Sequence, residues 1–417
     1  VVNCDEKRLI LQEMFESSKV YLIYGAAGTG KTYLLNHVAQ LFDNRTKLFL
    51  ANTNPAVDNL RRKMKAQNCE FSTIAKFLSK KTTETAYDML IIDECSMVSN
   101  SDMRGVVEKA DYKLLVLVGD TYQIESISFG NWFSLAKYFL PKKSWKELVT
   151  PFRAKNPELL ELWGKVRNLQ DNVTEHLVNY NYSSVFNESI FQKSSDDEII
   201  LCLNYNGLYG INNINRFLQN NNSSQGVRWG MWTYKVGDPV LFNESKRFTP
   251  ILYNNLKGRI TDIEIEEDGE RIWFSVEINK VISELDTSDL DLELLDARSL
   301  ERSIVRFYVN KSHDSDEDYD TEIDAVVPFQ IAYAVSIHKA QGLEYESVKV
   351  VITEDIDEMI THNIFYTAIT RARTNLKIYW SPESQQRVIS RFEKMDARND
   401  ANIFAGQSKL KIVNKYV

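Results

Sequence analysis

Short apolar runs alternate with stretches of helical character over the first 150 residues of the chain. The runs predict buried strands at Val20–Tyr24, Leu48–Ala51, Met89–Ile92 and Leu114–Val118. The intervening segments Lys31–Phe42 and Pro55–Gln67 predict helices. Because strands that alternate with helices are joined by right-handed crossovers, the pattern predicts a parallel sheet.

The same alternation returns later in the chain. It predicts strands and helices in the order Ile199–Leu203, Leu208–Leu218, Val348–Ile352, His362–Thr370 and Leu376–Trp380. We therefore predict an α/β fold with two parallel-sheet domains. The first covers residues 1–150, the second covers 151–236 and 328–395, and residues 396–417 form a polar C-terminal tail.

An insertion over residues 237–327 interrupts the second domain. Within it, Arg259–Glu266 and Arg271–Lys280 predict two β-strands paired around Glu267–Glu270. The charge run His313–Glu322 predicts a solvated loop. The insertion is therefore interpreted as a small β domain.

Composition supports a globular protein, and the charge is unevenly distributed. Of the 417 residues, 43% are hydrophobic and 26% are charged, which argues against a disordered or fibrous protein. The net charge is −8, but residues 261–327 hold 21 acidic and 6 basic residues, a local charge of −15. The rest of the chain is therefore +7 and compatible with a polyanionic partner. The acidic block suggests a basic protein partner or partner domain.

The sequence gives no sign of a membrane segment or a metal cluster. No apolar run approaches the ~18 residues of a membrane span, and the first ten residues include four charged side chains. The four cysteines lack disulfide-like or metal-like spacing, so we expect a reducing, cytoplasmic location.

A glycine-rich segment lies between the first predicted strand and the first predicted helix. It reads Gly25, Ala26, Ala27, Gly28, Thr29, Gly30, Lys31, Thr32 and fits the pattern G-x-x-x-x-G-K-[ST]. Backbone N–H groups of such a loop cradle phosphates at a helix N-terminus. We expect ATP as ligand, Lys31 on the β- and γ-phosphates, and the Thr32 hydroxyl on Mg²⁺. The alternative is a structural glycine-rich turn.

Three further polar residues follow predicted strands. Asp93 and Glu94 come directly after Met89–Ile92, where we expect Asp93 to hold Mg²⁺ and Glu94 to activate a water molecule. Gln123 follows the strand that ends near Gly119 and could contact both a water molecule and the γ-phosphate. A solvated turn is the alternative for each position.

Seven segments in order resemble the motifs of superfamily 1 DNA helicases, in particular the RecD/Dda-like group of P-loop NTPases. They are GAAGTGKT (25–32), ANTNPA (51–56), IIDECS (91–96), GDTYQI (119–124), PFR (151–153), SIHKAQGLEY (336–345) and YTAITRAR (366–373). The resemblance implies two RecA-like domains that clamp ATP and move 5′→3′ along single-stranded DNA.

The resemblance also implies roles for individual residues. Lys31, Asp93, Glu94 and Gln123 would be catalytic, together with two arginines that reach the γ-phosphate, Arg153 and Arg371. The residues implied in nucleic-acid binding are Thr53, Asn54, Pro55, Thr73, Ser336, His338, Lys339 and Gln341. Aromatic candidates for base stacking are Phe77, Trp132, Tyr205 and Phe242, each of which fits a core position better.

The chain departs from the group at several points. Lys7 stands near the position of the group's adenine-reading Gln, so we expect Gln12 to take that role. Only Ser79–Asp88 is available for the duplex-splitting pin hairpin, which predicts a motor without a pin of useful length. The insertion beginning at Val236 resembles the group's SH3-like β domain.

Two functional alternatives stay open at this point. An ATP-switched clamp on nucleic acid or protein, with slow turnover and no autonomous unwinding, would use the same loop. RNA could replace DNA, because phosphate-contacting motifs do not separate the two. Position 1 is Val, which is compatible with a fused upstream domain such as a nuclease.

Overall fold

The computed structural model describes residues 4–16, 19–80, 85–124, 131–150, 156–243, 247–249, 251–287, 290–299, 302–311, 324–393, 397–407 and 410–414. Within these ranges, no helix has the length and apolar character needed to cross a bilayer.

Helices and strands alternate along most of the described chain. The helices are α1 Asp5–Glu16, α2 Lys31–Leu41, α3 Asn54–Lys63, α4 Ile74–Ser79, α5 Asn100–Lys109, α6 Trp132–Phe139, α7 Pro157–Arg167, α8 Val173–Asn179, α9 Ile211–Asn221, α10 Glu284–Thr287, α11 His362–Ile369, α12 Pro382–Ser390 and α13 Ala397–Gln407. The strands are β1 Val20–Gly25, β2 Lys47–Ala51, β3 Cys69–Thr73, β4 Ala86–Ile92, β5 Asp111–Gly119, β6 Trp145–Leu148, β7 Ser183–Ser184, β8 Glu198–Cys202, β9 Gly226–Trp229, β10 Trp232–Lys235, β11 Pro239–Phe242, β12 Lys257–Ile265, β13 Arg271–Ile278, β14 Glu293–Ser299, β15 Arg302–Asn310, β16 Phe329–Ile331, β17 Ala334–Ser336, β18 Tyr345–Val351 and β19 Ala372–Tyr379.

The chain divides into two compact units. Unit 1 comprises residues 1–184 and 357–417, and unit 2 comprises residues 185–356. The domain borders inferred from the sequence remain a prediction.

Unit 1 is built on a six-stranded parallel sheet in the order β3-β2-β4-β5-β1-β6. The central strands are buried on both faces, because helices pack on each side. Phe49 and Ile91 contribute to the core on one face, and Leu50 and Ile92 to the core on the other. This sheet confirms the predicted parallel α/β arrangement.

Unit 2 combines parallel and antiparallel strands. Strand β8 pairs in parallel with β17 and β18. The insertion forms an antiparallel sheet in the order β14-β15-β13-β12-β11-β16 around its own apolar core. The predicted pairing of its two central strands is confirmed, since β12 and β13 are antiparallel neighbours. The SH3-like character of the insertion remains a prediction, and the charge run 313–322 lies outside the described residues.

Two predicted helices differ from those observed by more than one residue at an end. Helix α3 ends at Lys63, not Gln67, because Met64 adopts extended backbone angles after its N–H closes the last turn on Leu60 O. Helix α9 begins at Ile211, not Leu208, because Gly210 is an extended N-cap packed against the preceding turn.

Candidate functional site

The glycine-rich loop joins the C-terminal end of β1 to the N-terminus of α2 in unit 1. Gly28 and Gly30 have φ values of 76° and 78°, a region that glycine enters without steric cost. A Cβ atom at Gly25 would lie 2.8 Å from Thr29 Oγ1, so the close packing of the loop requires glycine there as well. The loop therefore presents the backbone at the start of a helix, where unpaired N–H groups favour an anion.

Lys31 folds back over this loop. Its Nζ donates to Gly25 O at 2.7 Å and to Ala26 O at 3.0 Å. The Thr29 hydroxyl also donates to Ala26 O, at 2.9 Å. The ammonium group is therefore held at the loop, next to the N-terminus of α2, where Thr32 occupies the second helical position.

Asp93 lies directly beyond the C-terminal end of β4 and is buried. Its Oδ1 accepts a hydrogen bond from the Glu94 N–H at 2.9 Å. Burial raises the pKa of Asp93, while that hydrogen bond and the charges of Lys31 and Lys63 act in the opposite direction. Glu94 has a left-handed backbone, with φ 54°, which turns the chain sharply after the strand.

A buried hydrogen-bond chain connects the loop to α11. Tyr366 Oη accepts from Ala27 N at 3.2 Å and donates to Asp120 Oδ2 at 3.2 Å. Burial raises the pKa of Tyr366 far above its ordinary value, so the phenol stays protonated and able to donate. Next to Gln123, the Ile124 N–H donates to Thr367 Oγ1 at 3.0 Å. The segment after β5 is therefore attached to the same helix.

Arg371 follows α11 and is 4% exposed. Its Nε donates to Thr367 O at 3.0 Å. It lies five positions after Tyr366, which contacts the loop. Arg153 lies outside the described residues.

Lys7 and Gln12 both lie on α1 but differ in their surroundings. Lys7 is buried, and its Nζ lies 2.9 Å from the position that a Cβ of Gly30 would occupy. Gln12 is exposed. The structure thus places the ammonium of Lys7 at the loop, and the adenine-contacting role of Gln12 remains a prediction.

The expected nucleic-acid contacts of unit 1 lie at helix N-termini. Thr53 caps α3 by accepting from Ala56 N at 3.3 Å, and Asn54 and Pro55 form the first helical positions. Thr73 caps α4 in the same way through Lys76 N, at 3.2 Å. Each hydroxyl keeps its hydrogen for donation.

The corresponding residues of unit 2 follow β17. Ser336 Oγ accepts from Lys339 N at 3.1 Å, and His338 is exposed. Lys339 Nζ donates to Asn243 Oδ1 and Gln330 Oε1, each at 2.8 Å, and burial lowers its pKa. The Gln341 N–H donates to His338 O at 3.2 Å.

Sequence reasoning missed Tyr366 as part of the site. The only available signal was its place as the first residue of YTAITRAR.

The core interpretation of two aromatic candidates is confirmed, since Phe77 and Phe242 are at most 1% exposed. Tyr205 is 56% exposed, and the Trp132 indole donates to Val98 O.

Two protein families match separate parts of the chain. The AAA domain matches residues 5–184, and the UvrD-like helicase C-terminal domain matches residues 331–379. The helicase Pif1 of Campylobacter jejuni is 23% identical over 88% of this chain and 90% of its own length. The RecD subunit of the RecBCD enzyme of Mycolicibacterium smegmatis is 23% identical over 76% of this chain and 54% of its own. These similarities support a superfamily 1 DNA helicase of the RecD/Pif1-like kind.

A solved helicase structure has a similar fold. A Bacteroides Pif1 helicase in complex with ADP-AlF3 and single-stranded DNA has a TM-score of 0.57 and 15% sequence identity. The match covers 98% of each chain. The shared fold extends over nearly the whole chain.

Proposed function

We propose that this chain is an ATP-driven motor that moves 5′→3′ along single-stranded DNA. The observation that carries the proposal is the grouping at one loop of a glycine-rich phosphate cradle, the Lys31 ammonium and the buried carboxylate of Asp93. A cation and N–H donors suit the phosphates of ATP, and a buried carboxylate suits a divalent cation.

In the proposed reaction, the loop residues 25–32 and Lys31 hold the phosphates. Glu94 accepts a proton from the attacking water, and Gln123 orients that water. Arg371, together with Arg153, stabilises the charge that develops on the transferred phosphoryl group. Tyr366 positions the loop by fixing the Ala27 N–H.

The donor set fits Mg²⁺. Asp93 supplies a carboxylate whose raised pKa reflects burial of its charge, which a divalent cation would relieve, and Thr32 supplies a hydroxyl. When bound, Mg²⁺ neutralises charge on the β- and γ-phosphates.

Phosphates of the DNA strand would be held by residues of both units. Thr53, Asn54 and Pro55 start α3, a ten-residue helix whose N-terminus attracts an anion. Thr73 in unit 1 and Ser336, His338, Lys339 and Gln341 in unit 2 complete the proposed set. Contacts of this kind hold the strand without reading its sequence.

Steady-state ATP hydrolysis with and without single-stranded DNA tests the proposal. We expect strong stimulation by DNA, and we expect Lys31→Ala to abolish hydrolysis in both conditions. Lys113→Ala is the control, because Lys113 is an exposed lysine paired with Asp88 away from the loop. Slow, unstimulated turnover with tight DNA binding would instead indicate an ATP-switched clamp. RNA in place of DNA in the same assay identifies the preferred strand.

A further inference from the structure

Unit 2 contains a groove of about 1680 Å³. It is lined by α9, by the hairpin of β9 and β10, and by parts of the insertion; we call it the α9 groove. Among the described residues that line it, four are basic and none is acidic. The basic residues are Arg216, Arg228, Lys235 and Lys311.

The absence of carboxylates from this described lining contrasts with the strong negative charge of the insertion. The insertion contributes Lys311, Asn243 and otherwise small or apolar residues to the groove. The nearby Glu264 pairs with Arg306 at 2.7 Å, and Glu270 pairs with Lys311 at 3.5 Å. The described lining of the groove is therefore basic, which favours an anionic ligand.

The other three basic residues of the groove make hydrogen bonds to uncharged oxygens. Arg216 donates to Asn213 Oδ1 at 2.7 Å, Arg228 to Gly230 O at 3.4 Å, and Lys235 to Asn222 O at 2.7 Å. Arg216 and Arg228 thus contact neutral acceptors, while Lys235 lies beside the buried carboxylate of Asp238, which accepts its backbone N–H at 2.9 Å. The two arginines give the groove an attraction for phosphate.

The hairpin in the wall of the groove has a fixed base and an exposed tip. Tyr234 is 4% exposed and packs 5.1 Å from the Phe274 ring, and Trp229 packs against the same core. Gly230, with φ 58°, starts the two-residue turn. Beyond the core, Met231 is 89% and Trp232 is 64% exposed. The hairpin thus presents an indole from a packed support.

The groove is continuous with the motif that follows β17. Asn243 and Gln330, which both line it, accept the two hydrogen bonds of Lys339. Asn215, on the α9 side, exchanges hydrogen bonds with the backbone of Ala334 in β17. A strand held by the motif could therefore continue into the groove.

We propose that the α9 groove binds single-stranded DNA, with Trp232 stacking on a base and Arg216 and Arg228 contacting phosphates. An indole face and a basic groove are the two features that bind single strands without sequence preference. The inference rests on the proposed function, because it extends the path of the same DNA strand.

The stacking part is tested with Trp232→Ala and Trp232→Phe, by fluorescence anisotropy of a labelled oligothymidylate without nucleotide. We expect Trp232→Ala to weaken binding by about 5- to 100-fold and Trp232→Phe to retain most of the affinity. Phe404→Ala, which removes an exposed aromatic ring in unit 1, is the matched control and should bind as the wild type does.

The phosphate part is tested through salt dependence. For single strands, each phosphate contact contributes about 0.7 to the slope of log K against log salt concentration. Arg216→Ala and Arg228→Ala should each reduce the slope by about that amount. Arg302→Ala is the control, because Arg302 lies in the insertion, pairs with Glu277 and does not line the groove.

Two results separate failure of this inference from failure of the proposed function. If the wild type binds single-stranded DNA and all groove variants bind equally well, the groove assignment is wrong and the motor proposal stands. If the wild type does not bind single-stranded DNA, both are wrong. In DNA-stimulated hydrolysis, Trp232→Ala should raise the half-saturating DNA concentration and leave kcat at saturating DNA unchanged; a lowered kcat would contradict a binding role.

Discussion

At the residue scale, the buried charge of Asp93 lowers the stability of the fold, and the same carboxylate has a proposed catalytic role. Burial raises the pKa of this carboxyl, so its ionised form is less stable in the folded chain than in water. A carboxyl with a raised folded pKa stabilises the fold below its unfolded pKa, about 3.9, and this contribution is lost as the pH rises through the folded value. At neutral pH the charge of Asp93 therefore destabilises the protein without its metal.

Asp93→Asn should for this reason raise the melting temperature in the absence of Mg²⁺ and nucleotide, while hydrolysis is lost. The amide oxygen can still accept from Glu94 N, so the turn is preserved. If removal of the buried charge stabilises the fold by on the order of 1 kcal/mol, the melting temperature rises by about 2–4 °C for a unit of this size. The gain should be largest near neutral pH and should vanish in acid.

Differential scanning fluorimetry between pH 4 and pH 8 measures this effect. Asp88→Asn is the control, because Asp88 is a surface carboxyl whose pKa is lowered by Lys113 and the Thr46 N–H, and its neutralisation should give no gain. A lower melting temperature for Asp93→Asn at pH 8 would contradict the assignment of a charge penalty to Asp93.

Residue roles that depend on a local motif could be predicted from the sequence, and roles that depend on distant contacts could not. Gly28, Gly30 and Lys31 are recognisable from their spacing alone, because the loop is built within eight residues. Tyr366 reaches Ala27 across 339 positions of sequence, and Lys7 reaches Gly30 from a separate helix. Only the folded chain brings these pairs together.

At the element scale, α11 is the connection between the phosphate loop and the arginine that follows the helix. Tyr366 contacts the loop from within the helix, and Thr367 O, one residue later, accepts from Arg371 Nε. The loop and the Arg371 guanidinium are therefore attached to consecutive residues of one helix. This arrangement makes Tyr366 a positioning residue of the proposed ATP site.

Tyr366→Phe removes one oxygen and keeps the ring. We expect a several-fold rise in the KM for ATP together with a lower kcat, because Ala27 N and Asp120 Oδ2 lose a buried partner, at a cost on the order of 1–3 kcal/mol. The measurement is steady-state hydrolysis at saturating DNA. Tyr21→Phe, which removes a buried hydroxyl bonded to Glu13, is the control and should leave kcat and the KM for ATP unchanged. Equal effects of the two substitutions would refute a specific role for Tyr366.

In the first sheet, the strands found from the sequence are the central ones, which are buried on both faces. Strands β1, β2, β4 and β5 are central in the first sheet and consist largely of continuous apolar runs, which makes them visible. Strands β3 and β6 were missed because they form its two edges, where burial alternates and polar residues are tolerated. The hairpin of β9 and β10 was missed because its two strands have only four residues each and are mostly exposed or half-buried.

At the scale of the whole molecule, the distribution of charge matters more than its total. The net charge of −8 is compatible with a DNA partner because the excess acid belongs to one insertion. Several carboxylates of that insertion pair with its own arginines, as Glu277 does with Arg302. The described lining of the α9 groove is basic, so the acidic block need not repel a strand there.

Movement along DNA and the splitting of a duplex are separable activities of a motor. Between α4 and β4 the chain has only the six residues Lys80–Thr85, which is too short for two paired strands and a turn. We therefore expect the isolated chain to displace streptavidin from the 3′ end of an oligonucleotide, while unwinding of a 5′-tailed duplex is much slower. Streptavidin on the 5′ end is the control for direction, and hydrolysis measured in the same samples shows that the motor is active. Duplex unwinding as fast as streptavidin displacement would show that another element, independent of this segment, separates the strands.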